Sequence, residues 1–188
     1  MADHEEPSPL TGPAPDPAQA PDLCTRCGMC CTGAIHNAAV LDQDEVAAAA
    51  AVGLPVLDRP GRPGFALPCP KLSGTACTIF GQRPRVCSRY QCQLLLDYRA
   101  GKIGFDDAAA KVTYARKLQA AVHRQLPKGM AMPQARTLVA GDGAGSAMDR
   151  RSMLELRLGV TALELYLDKN FRSARDGRAL EMKGLEPE

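Results

Sequence analysis

Apolar positions in the second half of the chain recur at helical spacing, whereas those in the first half come in short bursts broken by proline, glycine and cysteine. After Asp106, the residues Val112, Ala115, Leu118, Val122 and Leu126 fall three or four apart. That spacing predicts one helix with a single apolar stripe, capped by Asp106 and stopped by Pro127, Gly129 and Pro133. Thr137-Leu138-Val139-Ala140 reads as a brief strand. Ser146 or Asp149 then opens a helix bearing Met153, Leu154, Leu156 and Leu158. Beyond Gly159, Thr161 and Glu164 have the form of a capping box, with Val160 placed to staple onto Leu165. Two C-terminal helices are therefore expected, over 147–158 and 162–171.

In the first half, Ala38-Ala39-Val40-Leu41 predicts a short extended segment. Asp42, followed three residues later by Glu45, predicts a capped helix over 43–52 that Gly53 and Pro55 stop. Residues 58–68 read as a proline- and glycine-rich loop, and Arg83-Pro84 opens a helical turn carrying Cys87. Leu94, Leu95, Leu96 and Tyr98 form a small apolar patch ended by Gly101 and Gly104. At the start, Pro7, Pro9, Pro13, Pro15, Pro17 and Pro21 leave no periodicity that a core could bury, so 1–21 is expected to be a disordered tail. The expected organisation is a cysteine-rich region over 22–98, a helical region over 99–175 packing on it within the same domain, and a frayed tail over 176–188. The fold class is mainly α: a small helical domain with irregular cysteine-rich loops.

Composition narrows this picture. Of 188 residues only four are Phe and four Tyr, with no Trp, so the core must be built from Leu, Val, Ile, Met and Ala, which suits packed helices. A formal charge of +2 gives no reason to expect nucleic acid or an anionic membrane as partner. No apolar run approaches the roughly 18 residues that cross a bilayer. The acidic start, Met1-Ala2-Asp3-His4-Glu5-Glu6, is unlike a signal peptide, so a cytoplasmic protein is expected, in which clustered thiols stay reduced.

The chemistry lies in eight cysteines: Cys24, Cys27, Cys30 and Cys31 within eight residues, then Cys69, Cys77, Cys87 and Cys92. Three readings compete. A disulfide framework fits the even number, but a direct bridge between adjacent Cys30 and Cys31 would be strained, and a reducing compartment argues against it. Structural zinc fits four thiolates in tetrahedral geometry, though the second segment lacks the usual CxxC unit. An iron–sulfur cluster fits Cys24-x-x-Cys27-x-x-Cys30 wrapped around one corner, and Cys69-Pro70 echoes the fourth ligand of bacterial ferredoxins. Cys30 and Cys31 are expected to serve different sites, or one of them to stay free, and eight ligands would fill two four-thiolate sites. Arg26, Lys71, Arg83, Arg85 and Arg89 can offset the negative charge.

These residues carry a resemblance. Cys24-x-x-Cys27-x-x-Cys30-Cys31, Cys69-Pro70-Lys71-Leu72, Cys77-Thr78-Ile79-Phe80 and Arg83-Pro84-Arg85-Val86-Cys87-Ser88-Arg89-Tyr90-Gln91-Cys92 resemble the bacterial CxxCxxCC or YkgJ family of zinc- or iron-chelating domains. The resemblance covers about 22–98 and implies metal or iron–sulfur binding through all eight cysteines in the bacterial cytosol. A similar domain occurs in flagellin lysine methylase, which implies that some relatives use the centre in modification chemistry. The expected cofactor is an iron–sulfur cluster, with zinc or iron ions as the alternative. The expected role is electron transfer, metal handling or assembly with an unidentified protein partner; the alternatives are a cluster-dependent modifying enzyme and a structural zinc module.

Other features carry less. Gly141-x-Gly143-x-Gly145 has its third glycine one position early for a dinucleotide loop, so a plain loop is expected. His36 could replace a thiolate, Tyr90 could hydrogen-bond a ligand sulfur or simply pack beneath the site, and His123 lies beside an apolar stripe without an assigned role. No Ser-His-Asp order, HExxH or phosphate-binding P-loop is present.

Overall fold

The computed structural model describes residues 16–57, 60–141 and 148–173. Most of the proline-rich stretch, the end of the chain from residue 174, and residues 142–147 with Gly143 and Gly145 lie outside the described residues.

Two 21-residue helices dominate: α5, Phe105–Gln125, and α7, Arg150–Asn170, which pack against each other. Against them lie α1 (Ala20–Cys27), α4 (Gln93–Arg99) and α6 (Met132–Ala140). The stripe on α5 is observed, with Ala108, Val112, Ala115 and Val122 buried. Acidic Asp106 and Asp107 in its first turn and Arg124 in its last complement the helix dipole. Gly104, rather than Asp106, occupies the cap position. One core gathers Val112, Val122, Leu156, Val160, Leu163 and Leu167 with Leu94, Leu95, Met132 and Phe171, and also Met29 and Ile35 from the first cysteine loop.

Three expectations in this half fail for identifiable reasons. The two C-terminal helices are one, because the helix continues through Gly159, where even an added Cβ would make only ordinary contact with Val122 of α5, at 3.4 Å, so nothing there forces a break. Glu164, read there as a capping partner, instead binds Arg136 and Arg172, and Leu165, read as half of a staple, is 65 % exposed. Residues 137–140, read as a strand, complete α6, whose start is fixed by the Ala131 amide donating to Gln134 Oε1 at 3.0 Å. A four-residue aliphatic run is too short for periodicity to separate strand from helix.

A smaller lobe is built from the first half. Strand β1, Ala38–Val40, pairs antiparallel with β2, Gly64–Ala66, with Ala39 opposite Phe65. The loop expected over 58–68 thus contains a strand, and Gly64 is needed there: a Cβ would lie 2.4 Å from the Ala39 carbonyl oxygen. Helix α2 (Val46–Ala51), the hairpin of β3 (Leu72–Ser73) and β4 (Ala76–Cys77), and α3 (Arg85–Arg89) complete it. Its core is Ala39, Leu41, Ala49, Leu54, Phe65 and Leu67. Residues 43–45 form a 3-10 turn ahead of α2, and Asp42 makes no capping bond, since its carboxylate faces Arg85 instead.

Asp16 to Pro21 are structured, within the stretch expected to be a disordered tail. A 3-10 turn at Pro17–Gln19 leads into α1, and Tyr98 Oη donates to the Asp16 carbonyl oxygen at 3.0 Å.

Candidate metal centre

The first cysteine segment is half helix and half loop. Cys24 and Cys27 sit on the last turn of α1, three apart and so on one face. Gly28 ends the helix at φ 67°, its amide donating to the Cys24 carbonyl oxygen at 3.2 Å. A Cβ on Gly28 would come within 3.3 Å of Thr75 Cα, so this glycine also lets the β3–β4 hairpin lie against the loop. Beyond it the chain curls on itself, Thr32 N–H donating to Gly28 O at 3.0 Å and Ala34 N–H to Met29 O at 3.1 Å. Met29, wholly buried, anchors the curl while Cys30 and Cys31 follow it.

Backbone pairing delivers the second segment. The β1–β2 ladder extends through Leu67 N–H to Asn37 O at 2.9 Å and ends with Cys69 N–H to Cys31 O at 2.7 Å. The hairpin then returns Cys77, with Thr78 N–H donating to Lys71 O at 2.8 Å. Cys87 rides on α3, which Arg85 fastens: its amide donates to Glu45 Oε1 at 2.7 Å and its guanidinium to Asp42 Oδ2 at 2.9 Å and to Asp44. Cys92 occupies the cap position of α4.

All eight cysteines are free thiols, and all eight line one cavity of about 560 Å³. Segments separated by thirty-seven residues, 32–68, therefore meet around a common space. Burial raises the thiol pKa values, to about 12 for Cys27 and Cys87 and about 11 for Cys31 and Cys92, and well above the ordinary value for Cys30. Neighbouring sulfurs push in the same direction. Cys24 and Cys69 are raised as well, again by burial first. Without a cation these thiols stay protonated at neutral pH; a bound metal must displace the protons.

Positive charge partly opposes that shift. Arg83 lowers the pKa at Cys24, Cys31 and Cys87, Lys71 at Cys69, Arg99 at Cys24 and Arg116 at Cys27. Of the cations expected here, Arg85 is committed to the 42–45 turn, and Arg26 lies over the Phe105 ring at 5.4 Å. Arg99 and Arg116 carry no signal in the sequence, because they stand on α4 and α5 outside the cysteine motifs. His36 lines the cavity and meets Tyr90 edge to face, ring centroids 4.7 Å apart. Among the described residues, no three His, Cys, Asp or Glu side chains already form a ligand set for one ion, so the thiols share a cavity without being gathered at a point.

Helices beyond the motifs hold this loop. Arg136 of α6 donates to Asn37 Oδ1 at 2.6 Å, Gly33 O at 2.8 Å and Ala34 O, and pairs with Glu164 at 2.9 Å. Arg172 donates to Ala34 O at 3.1 Å and pairs with Glu164 at 2.8 Å. Gln119 Nε2 donates to Thr32 Oγ1 at 2.8 Å.

Fold and cavity together define a small, mainly helical protein whose distinctive chemistry is a concentration of thiols suited to soft cations. Residues 23–114 match the family model CxxCxxCC, described as "Putative zinc- or iron-chelating domain". No curated protein and no solved structure matches the chain significantly. Among the described residues no helix is long and apolar enough to cross a membrane.

Proposed function

We propose that this is a cytoplasmic metal-binding protein whose eight cysteines hold iron–sulfur centres and which serves electron transfer, metal handling or assembly with a protein partner. The observation that carries the reading is the lining of a single cavity by every cysteine in the chain. Two bare ions would occupy far less than that cavity, since even a water molecule takes about 30 Å³. Inorganic sulfide along with iron would fill more of it, which favours a cluster over isolated zinc. Thiolates from Cys24, Cys27, Cys30, Cys31, Cys69, Cys77, Cys87 and Cys92 would hold the group, and Arg83, Arg99, Arg116 and Lys71 would offset its negative charge. A bound cluster supplies a reversible one-electron couple, set by the hydrogen bonding and burial around it. The chain itself supplies an apolar wall on one side of this cavity, including Leu54, Phe65, Leu67 and Ile79, while Cys24 stays exposed.

Anaerobic purification followed by iron, zinc and acid-labile sulfide analysis tests this. Iron and sulfide in matching amounts, with visible absorbance bleached by dithionite, is the expected result. Zinc without iron or sulfide would overturn the cluster in favour of a structural or chelating zinc site, and a metal-free chain would overturn the function altogether.

A further inference from the structure

We infer that the eight cysteines are divided between two centres, Cys24, Cys27, Cys30 and Cys92 at one and Cys31, Cys69, Cys77 and Cys87 at the other. The boundary falls at the Cys30–Cys31 peptide bond. This rests on the metal-binding reading above and adds the ligand set of each centre.

The division follows the two cores. Cys27, Cys30 and Cys92 pack against the large helical core, whereas Cys69 and Cys87 pack against the small one around Phe65. Cys24 shares the last turn of α1 with Cys27, and α1 packs on α4, whose cap is Cys92. On the other side Cys31 is fastened to Cys69 by its own carbonyl, and Cys77 stands in the hairpin that follows Cys69. The electrostatic neighbours sort the same way. Cys92 and Cys24 act on Cys27 and Cys30, while Cys31, Cys69 and Cys77 act on Cys87. Electrostatic influence across the boundary runs through Cys31, which acts on Cys30 beside it and is acted on by Cys24.

Successive side chains on an extended or curled backbone diverge, so neighbouring cysteines are suited to different centres and poorly suited to one. Each set also contains both segments: Cys92 completes the first group, and Cys31 the second. Neither segment alone supplies four thiols to either centre. The two centres therefore interlock, and each one fastens the small lobe or α4 to the first loop.

Separate Cys92→Ser and Cys69→Ser variants, purified anaerobically beside the wild type, test the division by metal content. Each is expected to retain about half the wild-type metal, as one of two four-thiolate sites is lost. Retention of full metal by either variant, or loss of all metal by a variant whose helical circular dichroism is unchanged, overturns it. A second measurement guards against variants that fail to fold. Partial stripping of the wild-type holoprotein with a chelator, followed by alkylation and mass spectrometry, should release thiols as the two sets named. Release in mixed sets overturns the division while leaving metal binding intact. A wild-type chain that holds no metal removes both.

Discussion

The two lobes solve stability in different ways. The helical lobe buries long side chains from five helices in one core, with Leu156, Leu163 and Leu167 wholly inaccessible. The small lobe orders most of residues 38–89 around six buried apolar residues, two of them alanine, with strands of two or three residues. Apolar burial is far more extensive in the first than in the second, while each ordered residue in either costs about 1–2 kcal/mol of backbone entropy. Thiols occupy the place that further core residues would otherwise fill. On the proposed metal-binding reading, the folding of the small lobe leans on metal more heavily than that of the helical lobe, which carries the larger core.

Removing the metal should therefore separate the lobes most strongly. Structural metal sites contribute on the order of 10 kcal/mol to the fold they complete. Chelation is expected to abolish hydrogen-exchange protection of Leu41, Phe65 and Leu67 while amides in α5 and α7 remain protected. Equal protection in both lobes after stripping would break the contrast.

Leu163→Ala should be the mirror image. Its wholly buried side chain leaves a cavity costing about 2–5 kcal/mol, with or without metal, in denaturant titrations. A much larger effect in the stripped protein would contradict the weaker metal dependence of the helical lobe.

Arg136→Ala probes the join. It strips charged donors from the Gly33 and Ala34 carbonyls and leaves Glu164 with Arg172 alone, for about 2–3 kcal/mol. Faster metal release should accompany the stability loss, and unchanged release would show that the clamp does not hold the cysteine loop. Gly33→Ala strains the same loop from the other side, because its φ is 79° and a Cβ would sit 2.9 Å from Pro133 Cδ. About 1–3 kcal/mol is expected, read from the same titrations.

The smallest effect concerns α7. Asp149 caps it, and the hydrogen bonds from the Ser152 hydroxyl and amide hold its carboxyl below the ordinary value. A depressed folded value means that this contribution is complete above the ordinary carboxylate pKa of about 3.9 and is lost as pH falls through the lower folded value. Asp149→Asn should flatten that part of the acid limb in a pH series of melts, and an unaltered limb would assign it to other carboxylates.

The legible parts of the sequence were those where one physical pattern acts alone. The stripe on α5 is such a case, as are the extended Ala38–Val40 and the helical turn after Pro84. The cysteines stood out because neither a core nor a turn requires so many sulfurs. Misreadings arose where a local pattern competed with a distant partner. Asp42 and Glu45 resemble a cap but answer to Arg85, some forty residues away, and Thr161 with Glu164 resembles another while Glu164 answers to two arginines. Arg136 and Arg172 reach the first loop across roughly a hundred residues or more, a distance no local pattern encodes.

X-ray absorption at the metal edge of the anaerobically purified chain addresses the central claim most directly. About four sulfur ligands per metal, with a short metal–metal distance in the case of a cluster, is the result expected of thiols drawn from both segments. A shell dominated by oxygen or nitrogen would contradict it.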